Sequence, residues 1–206
     1  MKTALVTGGS SPIGGAICQE LAAQGHHVIV HANSNTAAAE ETVAAIADKG
    51  GSAEVMALDL TDVTGAEAVL SARVREAPIQ ILVHNSGLHR DVPFAGMSHE
   101  DWQQVIDVNL TGFFAALRPL IMPMMRSRWG RIVGISSLTA VTGNRGQSNY
   151  AAAKGGMLAF VKSISREYAS RGVTANVVAP GLIDTPEIRA MDNFDALKAL
   201  CPAGRP

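Results

Sequence analysis

"TALVTGGSSPIGG", residues 3–15, decides the fold. The apolar run Ala4–Val6 leads directly into glycines and serines and then into an amphipathic segment, which predicts a strand, a tight turn and a helix. Glycines at such a turn let the backbone approach a phosphate, and the first turn of the helix offers N–H groups to an anion. Pro12 is compatible with this interpretation as the first helical residue, because the N–H that it lacks would have no partner there. The alternative is a glycine-rich turn that holds no ligand.

The same alternation of strand and helix continues along the chain. The predicted strands are Ala4–Val6, Val28–His31, Ala53–Leu58, Ile79–Val83, Arg131–Ile135 and Thr174–Val178. The predicted helices are Ile13–Gln24, Thr36–Lys49, Val63–Glu76, His99–Met125 and Tyr150–Ser170. Several strands are apolar at consecutive positions, which indicates burial on both faces. The chain is therefore predicted to form an α/β domain over residues 1–206, a doubly wound parallel sheet with helices on both faces. Pro119 and Pro123 are expected to kink or end the fourth helix.

Composition narrows the range of functions. The chain has 206 residues, 47% of them hydrophobic, and a formal net charge of −1. This balance gives no electrostatic reason to expect nucleic acid or a membrane surface as a partner. The two cysteines form no disulfide framework and have no metal-ligand spacing with the six histidines, so no metal site is expected. No apolar run approaches the roughly 18 residues that span a bilayer, and the first strand leaves no room for a signal peptide, which favours the cytoplasm.

The position of the glycine-rich turn indicates a nucleotide. In a doubly wound sheet the ligand lies at the carboxyl ends of the strands, where the first turn meets the first helix. Gly8 is expected to allow the tight turn and Gly14 the close approach of helix to strand. Ser10 and Ser11 add hydroxyl donors. The turn therefore predicts a pyrophosphate site.

The end of the second strand indicates which nucleotide binds. An NAD site usually has an acidic residue about 20 residues after the glycines, where it accepts from the ribose 2′-OH. Here the segment "HANSNT", residues 31–36, contains no acid. Asn33 and Ser34 leave an uncharged pocket that would admit a 2′-phosphate. NADP(H) is therefore favoured, although no arginine stands beside the turn.

A second motif, "SNYAAAKGG" at residues 148–156, carries candidate catalytic groups. Tyr150 and Lys154 are four residues apart and share one face of a helix. A tyrosine with a pKa near 10 is a poor acid–base catalyst at neutral pH, and the lysine ammonium is expected to lower that pKa. Ser137, at the end of the strand "RIVGISS", is expected to face the same crevice. A tyrosine–lysine pair considered alone is equally compatible with an exposed helix surface.

Taken together, these motifs resemble those of the short-chain dehydrogenase/reductase family, whose Rossmann fold matches the predicted sheet. The resemblance covers the whole chain and depends on "TGGSSPIG", "HNSG", "VNLTG", Ser137, "YAAAK" and "VAPG". Within the family the chain is most similar to 3-oxoacyl-(acyl-carrier-protein) reductases, through "WQQVIDVNLTG", "SNYAAAKGGM" and "SREYASRGVTANVVAPGLIDT".

The resemblance implies a catalytic tetrad of Asn109, Ser137, Tyr150 and Lys154. Tyr150 would protonate the substrate carbonyl oxygen as hydride arrives, and Ser137 would hold the same oxygen. Lys154 would lower the pKa of Tyr150 and bind the nicotinamide ribose. Asn109 would hold the water through which Lys154 is reprotonated.

The resemblance also implies a set of residues that bind NADP(H). They are Gly8, Ser10, Ser11, Ile13, Gly14, Asn33, Ser34, Asp59, Leu60, Asn85, Ser86, Gly87, Tyr150, Lys154, Pro180, Gly181, Ile183 and Thr185. Asp59 would contact the adenine; the alternative for this residue is a helix cap.

The function implied is NADPH-dependent reduction of a 3-oxoacyl thioester on acyl carrier protein to the 3-hydroxyacyl thioester, in fatty-acid or polyketide-type chain elongation. Arg128 and Arg171 would dock the acidic carrier near the cleft; alternatively they are solvated surface residues. A homo-oligomer, dimer or tetramer, or a pairing with a homologue is expected. Two other functions stay open: a reductase or dehydrogenase of another small ketone or alcohol, and a weakly active NADP-binding partner subunit.

Some positions depart from the family pattern. Pro12 replaces a glycine of the first motif, and His84 and Ser86 replace an asparagine and an alanine of the family's NNAG motif. The final segment "LCPAGRP" resembles the place where family members begin another helix and strand. Either the sequence given stops before these elements, or the protein lacks the C-terminal strand and a sheet edge is exposed. Residues 182–200 are expected to form a substrate lid. Its candidate acyl-contacting residues are Met191, Phe194, Leu197 and Leu200.

Overall fold

A computed structural model of the protein describes residues 1–192, 194–199 and 201–206, apart from the side chain of Glu187. Six parallel strands form one sheet in the order β3-β2-β1-β4-β5-β6, which confirms the predicted fold class. The strands are β1 (Thr3–Thr7), β2 (His27–Ala32), β3 (Ser52–Ala57), β4 (Ile81–His84), β5 (Gly130–Ile135) and β6 (Val173–Val178). The α-helices are α1 (Pro12–Ala23), α2 (Thr36–Ala47), α3 (Val63–Glu76), α4 (His99–Ile106), α5 (Gly112–Ser127), α6 (Thr139–Thr142), α7 (Ser148–Tyr168), α8 (Pro186–Arg189) and α9 (Phe194–Ala199).

Hydrophobic clusters cover both faces of the sheet. In β1, Leu5 packs into the cluster under α3, α5 and α7, whereas its neighbours Ala4 and Val6 pack into the cluster under α1 and α2. Successive side chains of a strand point to opposite faces, so a strand covered on both sides must be apolar at consecutive positions. This explains the unbroken apolar runs of the sequence.

The fourth predicted helix is interrupted, but not at its prolines. A π-helical turn, Asp107–Thr111, separates α4 from α5, and α5 then continues through Pro119 and Pro123. The expectation that these prolines would end the helix was therefore wrong, and the expected kink stays a prediction. Each proline removes one helical hydrogen bond. The buried face of α5 supplies the compensating packing, through a row that includes Phe113, Leu117, Leu120 and Met124.

The helical stretch His99–Ser127 is long and apolar enough to cross a membrane by length and composition alone. Its apolar face, which includes Phe113 and Leu120, is buried within the cluster on one face of the sheet. The stretch is therefore a core helix of this fold.

The last strand of the described chain, β6, forms one edge of the sheet. Within the described residues β6 pairs with β5 alone, and its residues Thr174 and Asn176 are exposed. Beyond β6 the two short helices α8 and α9 occupy the segment expected to be a lid. Met191 is exposed there, Phe194 and Leu197 are half-buried, and Leu200 lies outside the described residues.

Candidate active site

The loops that follow five of the six strands converge on one cleft of about 580 Å³ at the carboxyl edge of the sheet. The predicted site residues that line it are Gly8, Ser10, Ser11, Ile13, Asn33, Ser34, Asn85, Ser86, Gly87, Ser137, Tyr150, Lys154, Pro180, Gly181, Ile183 and Thr185. Gly14, Asp59, Leu60 and Asn109 do not line it. The lining residues that sequence reasoning missed are His31, Asn35, Leu88, His89, Val108, Ile135, Ser136, Leu182 and Ile188.

The glycine-rich turn has the local structure expected of a phosphate loop. Gly8 has a φ of 63°, a left-handed conformation that glycine adopts without strain. Pro12 is the first residue of α1, as the sequence predicts, and Ser11 caps the helix by accepting the Gly14 N–H at 3.1 Å. A Cβ at Gly14 would lie 2.1 Å from the Gly8 carbonyl oxygen. Only a residue without a side chain permits this approach of helix to strand.

The donors of this loop differ from those expected. The Ser11 hydroxyl donates to the Gly8 carbonyl oxygen at 2.8 Å, so its proton stabilises the loop and is not available to a ligand. The Asn85 amide also donates to the Gly8 carbonyl oxygen, at 3.0 Å. Within the described part of the chain, the backbone N–H groups of Ser10 and Ile13 have no acceptor. These N–H groups and the helix N-terminus fit the pyrophosphate of a dinucleotide.

Polar but uncharged residues line the part of the cleft at the end of β2. His31 is buried at the end of β2; its Nδ1 accepts the Gly8 N–H at 3.2 Å, and its Nε2 lies 2.8 Å from the Leu58 carbonyl oxygen. Burial lowers the pKa of His31, so the ring adds no positive charge at neutral pH. Asn33 and Ser34 are exposed beside it. The sequence showed this histidine only as a member of a strand.

Asp59 lies next to this region, in a neighbouring groove that also contains Asn33. Its carboxylate accepts from the Thr61 hydroxyl at 2.7 Å and from the Thr61 N–H at 2.8 Å, and these hydrogen bonds lower the pKa of Asp59. The cap of α3 is Asp62, which accepts the Gly65 N–H. Asp59 therefore holds the turn before the helix and is not its cap. Leu60 is buried and packs against Gly112 at the start of α5.

Three residues of the predicted tetrad, Ser137, Tyr150 and Lys154, line the cleft, and the fourth, Asn109, does not. Ser137 follows β5, Tyr150 and Lys154 belong to the first two turns of α7, and Asn109 lies in the π-helical turn. Lys154 Nζ is 5.6 Å from the centroid of the Tyr150 ring and donates to the Ile135 carbonyl oxygen at 2.9 Å.

Gly87 lies next to two members of the tetrad, Asn109 and Lys154. A Cβ at this position would lie 3.0 Å from Asn109 Oδ1 and 3.4 Å from Lys154 Nζ. The Asn109 amide nitrogen donates to the Leu88 and Val105 carbonyl oxygens at 2.7 and 2.8 Å, whereas Oδ1 is buried without a hydrogen-bond partner among the described residues. A buried acceptor of this kind fits a water molecule beside the ammonium group.

The acidities of Tyr150 and Lys154 differ from the expectation. Burial raises the pKa of Tyr150, a hydrogen bond with Ser137 lowers it, and the charge of Asp91 raises it. Lys154 is not among the causes, so the expectation that its ammonium lowers the pKa of Tyr150 was wrong for this structure. Burial also lowers the pKa of Lys154 to about 8. At neutral pH both groups hold their protons, and the phenol is able to act as an acid.

Arg128 and Arg171 lie far from this cleft. Arg128 directly precedes β5 and Arg171 precedes β6, so both stand at the amino edge of the parallel sheet. The cleft lies at the opposite edge, beyond strands of six residues that each extend about 3.3 Å per residue. The Arg128 guanidinium donates to the Ser170 carbonyl oxygen at 3.1 Å. The expectation that the two arginines lie near the cleft of their own chain was wrong.

Comparison with known proteins agrees with this architecture. Residues 2–194 match the sequence profile of the short chain dehydrogenases. Two relatives are the 3-oxoacyl-(acyl-carrier-protein) reductases of Escherichia coli strain K12 and Vibrio cholerae, each 43% identical over 99% of this chain and 83% of its own length. The enzyme of the same name from Synechocystis is 40% identical over 89% of this chain and 75% of its own length. With its phosphate loop, its tyrosine and its lysine all at one edge of a parallel sheet, the chain belongs to the short-chain dehydrogenase family.

Proposed function

We propose that this protein reduces the ketone of a 3-oxoacyl thioester, carried by acyl carrier protein, to the 3-hydroxyacyl thioester with NADPH in acyl-chain elongation. The observation that carries the proposal is the half-buried, protonated phenol of Tyr150 beside the Ser137 hydroxyl in the cleft. The choice of substrate follows the names of the relatives, which are 3-oxoacyl-(acyl-carrier-protein) reductases.

Groups spaced along the cleft support the proposed binding of the coenzyme there. The Ser10 and Ile13 N–H groups would hold the pyrophosphate, and Asn33 and Ser34 leave room for a 2′-phosphate. Among the described residues Lys154 has one acceptor, the Ile135 carbonyl oxygen, for the three protons of its ammonium group, so two protons would be available to ribose hydroxyls. NADPH, when bound, supplies the hydride.

The protein groups supply the proton and the position of the ketone. The ketone oxygen would accept hydrogen bonds from Tyr150 and Ser137. As the carbonyl carbon gains a hydride and its C–O π bond breaks, the electron pair on oxygen takes the proton of the Tyr150 hydroxyl. The products are a secondary alcohol, NADP⁺ and a phenolate, and the phenolate must then regain a proton from the direction of Lys154.

The decisive experiment measures NADPH oxidation with acetoacetyl thioesters, free and carrier-bound, and with small ketones. Tyr150→Phe should reduce kcat by about 10²- to 10⁴-fold, the usual contribution of general acid catalysis. Tyr168→Phe is the matched control, because Tyr168 is the other tyrosine of the chain and lies at the far end of the same helix. Unchanged turnover in Tyr150→Phe would refute the mechanism. Turnover of small ketones alone would refute the substrate class.

The expected association with further copies or with a homologue, and the expected cytoplasmic location, stay predictions from the sequence. Preference for NADPH over NADH is tested by comparing the two dissociation constants. Tighter binding of NADH would contradict it.

A further inference from the structure

His84, the last residue of β4, is a completely buried polar residue between the phosphate loop and the tetrad. Its ring stacks on the Phe113 ring with centroids 4.6 Å apart and an interplanar angle of 2°. Both ring nitrogens have partners. Nδ1 lies 3.0 Å from the Thr7 hydroxyl oxygen, and Nε2 lies 3.2 Å from the main-chain carbonyl oxygen of Asn109.

The hydrogen bonds of Thr7 determine which nitrogen of His84 carries the proton. The Thr7 hydroxyl oxygen accepts the backbone N–H groups of Asn85 and Ser86, at 3.1 and 3.0 Å. A hydroxyl has two lone pairs and one proton, so the proton is what it offers to His84. Nδ1 is therefore the acceptor, and Nε2 carries the hydrogen that is donated to Asn109.

The surroundings keep the ring neutral in this tautomer. A protonated Nδ1 would point its hydrogen at an oxygen whose lone pairs are already used. The titratable groups that act on the ring are Lys154 on α7 and His31 on β2, and the positive charge that each carries when protonated disfavours protonation of His84. Burial acts in the same direction and, with these groups, holds the pKa of His84 well below its usual range.

We propose that His84 is a positioning residue: its neutral ring ties the end of β1 to the π-helical turn and so holds Asn109 beside Lys154. Thr7 lies directly opposite His84 in the β1–β4 pair and immediately precedes the phosphate loop. The π-helical turn has no side-chain cap, and His84 is the side chain that holds its Asn109 carbonyl. A shift of that turn moves the unpartnered Asn109 Oδ1 away from Lys154, on the path by which Tyr150 regains its proton. The kinetic consequence rests on the reductase function proposed above.

Two amide variants separate the two hydrogen bonds. The side-chain amide of asparagine reaches the position of Nδ1, so His84→Asn keeps the bond to Thr7 and loses the bond to Asn109. The amide of glutamine reaches the position of Nε2, so His84→Gln keeps the bond to Asn109 and loses the bond to Thr7. Both variants lose the ring that stacks on Phe113. Their difference therefore reports the hydrogen bond and not the loss of packing.

We expect kcat of His84→Asn to fall about tenfold below that of His84→Gln, the equivalent of one net hydrogen bond, at equal melting temperatures. The KM for NADPH should differ by less than about threefold between the two, because neither nitrogen lines the cleft. Equal kcat values in the two variants would overturn the proposal. So would a kcat difference that only follows a difference in melting temperature.

Nitrogen NMR of histidine-labelled parent protein tests the tautomer without any variant and without coenzyme. The His84 signals, assigned by through-space contacts to the Phe113 ring, should show a neutral ring with hydrogen on Nε2 from pH 5.5 to 9. Hydrogen on Nδ1, or protonation in this range, would overturn the proposal. If the parent reduced no ketone, the proposed function would fail, and this spectrum would still decide whether His84 makes the two bonds.

Discussion

Gly14→Ala tests the close approach of α1 to β1 on which the coenzyme site depends. A Cβ at Gly14 would lie 2.1 Å from the Gly8 carbonyl oxygen, whereas ordinary contact begins at 3.4 Å. The carbonyl is backbone, so relief requires the start of α1 to move by about 1 Å. The substitution gains about 1 kcal/mol of helix propensity, and overpacking of this kind costs about 1–3 kcal/mol. We expect a small loss of stability and a larger loss of binding, because the Ser10 and Ile13 N–H groups move with the helix.

The assay is NADPH affinity by fluorescence titration, with the melting temperature recorded alongside. A displacement of about 1 Å costs up to about 10²-fold in an aligned site, so we expect the dissociation constant to rise by about 10- to 100-fold. Gly15→Ala is the control, because it makes the same change one residue later and meets a side-chain oxygen, that of Thr42, at 3.3 Å. It should bind NADPH within about threefold of the parent, since a side chain can yield. Parent-like affinity in Gly14→Ala would refute the assignment of this turn to the pyrophosphate.

Two further predictions follow from the acidities of the site. Lys154→Met should raise the melting temperature at pH 7 despite abolishing activity, because a buried ammonium with a pKa of about 8 costs up to about 3 kcal/mol of folding free energy. Between pH 8 and the ordinary lysine pKa the unfolded chain binds more protons than the folded one, so the stability of the parent rises with pH and the advantage of the variant should shrink. Lys162→Met, at an exposed lysine of the same helix, should show no such gain. A melting temperature of Lys154→Met equal to that of the parent at pH 7 would contradict the cost of burying the ammonium group. Asp91→Asn should lower the pKa of Tyr150, since the Asp91 charge raises it, so the alkaline fall of the reduction rate should move to lower pH. Glu76→Gln, on α3 away from the cleft, should leave that fall in place. An unchanged fall in Asp91→Asn, or a shift to higher pH, would show that the Asp91 charge does not raise the pKa of Tyr150.

The sequence predicts the parts of this site that depend on local pattern. Residues 3–15 predict an apolar strand, a glycine turn and a capped helix. The i, i+4 spacing of Tyr150 and Lys154 places them on one face of a helix. All six strands and the five long helical segments follow from such patterns.

Tertiary environment decides the features that the sequence did not reveal. The prolines of α5 are tolerated because one face of the helix is buried. The π-helical turn has no sequence signal of its own, and its contact with His84 is a tertiary one. His31 appears in the sequence as one more residue of a strand, although its Nδ1 accepts the Gly8 N–H at the start of the phosphate loop. Arg128 precedes the strand predicted at Arg131–Ile135, so the rule that ligands bind at the carboxyl ends of the strands already places this arginine at the opposite edge. The expectation that it lies near the cleft came from the motif match and did not apply that rule.

Burial is the largest cause of the acidities that reduction requires. In water the phenol and the ammonium group have nearly equal pKa values, about 10 and about 10.4, so a proton would be shared almost evenly between them. Here burial raises the pKa of Tyr150 and lowers that of Lys154 to about 8, because it disfavours the phenolate in one case and the ammonium in the other. Once Tyr150 has given its proton to the substrate oxygen, transfer from Lys154 to the phenolate is downhill. The low dielectric of the cleft, and not a direct tyrosine–lysine ion pair, therefore sets the direction in which the proton moves.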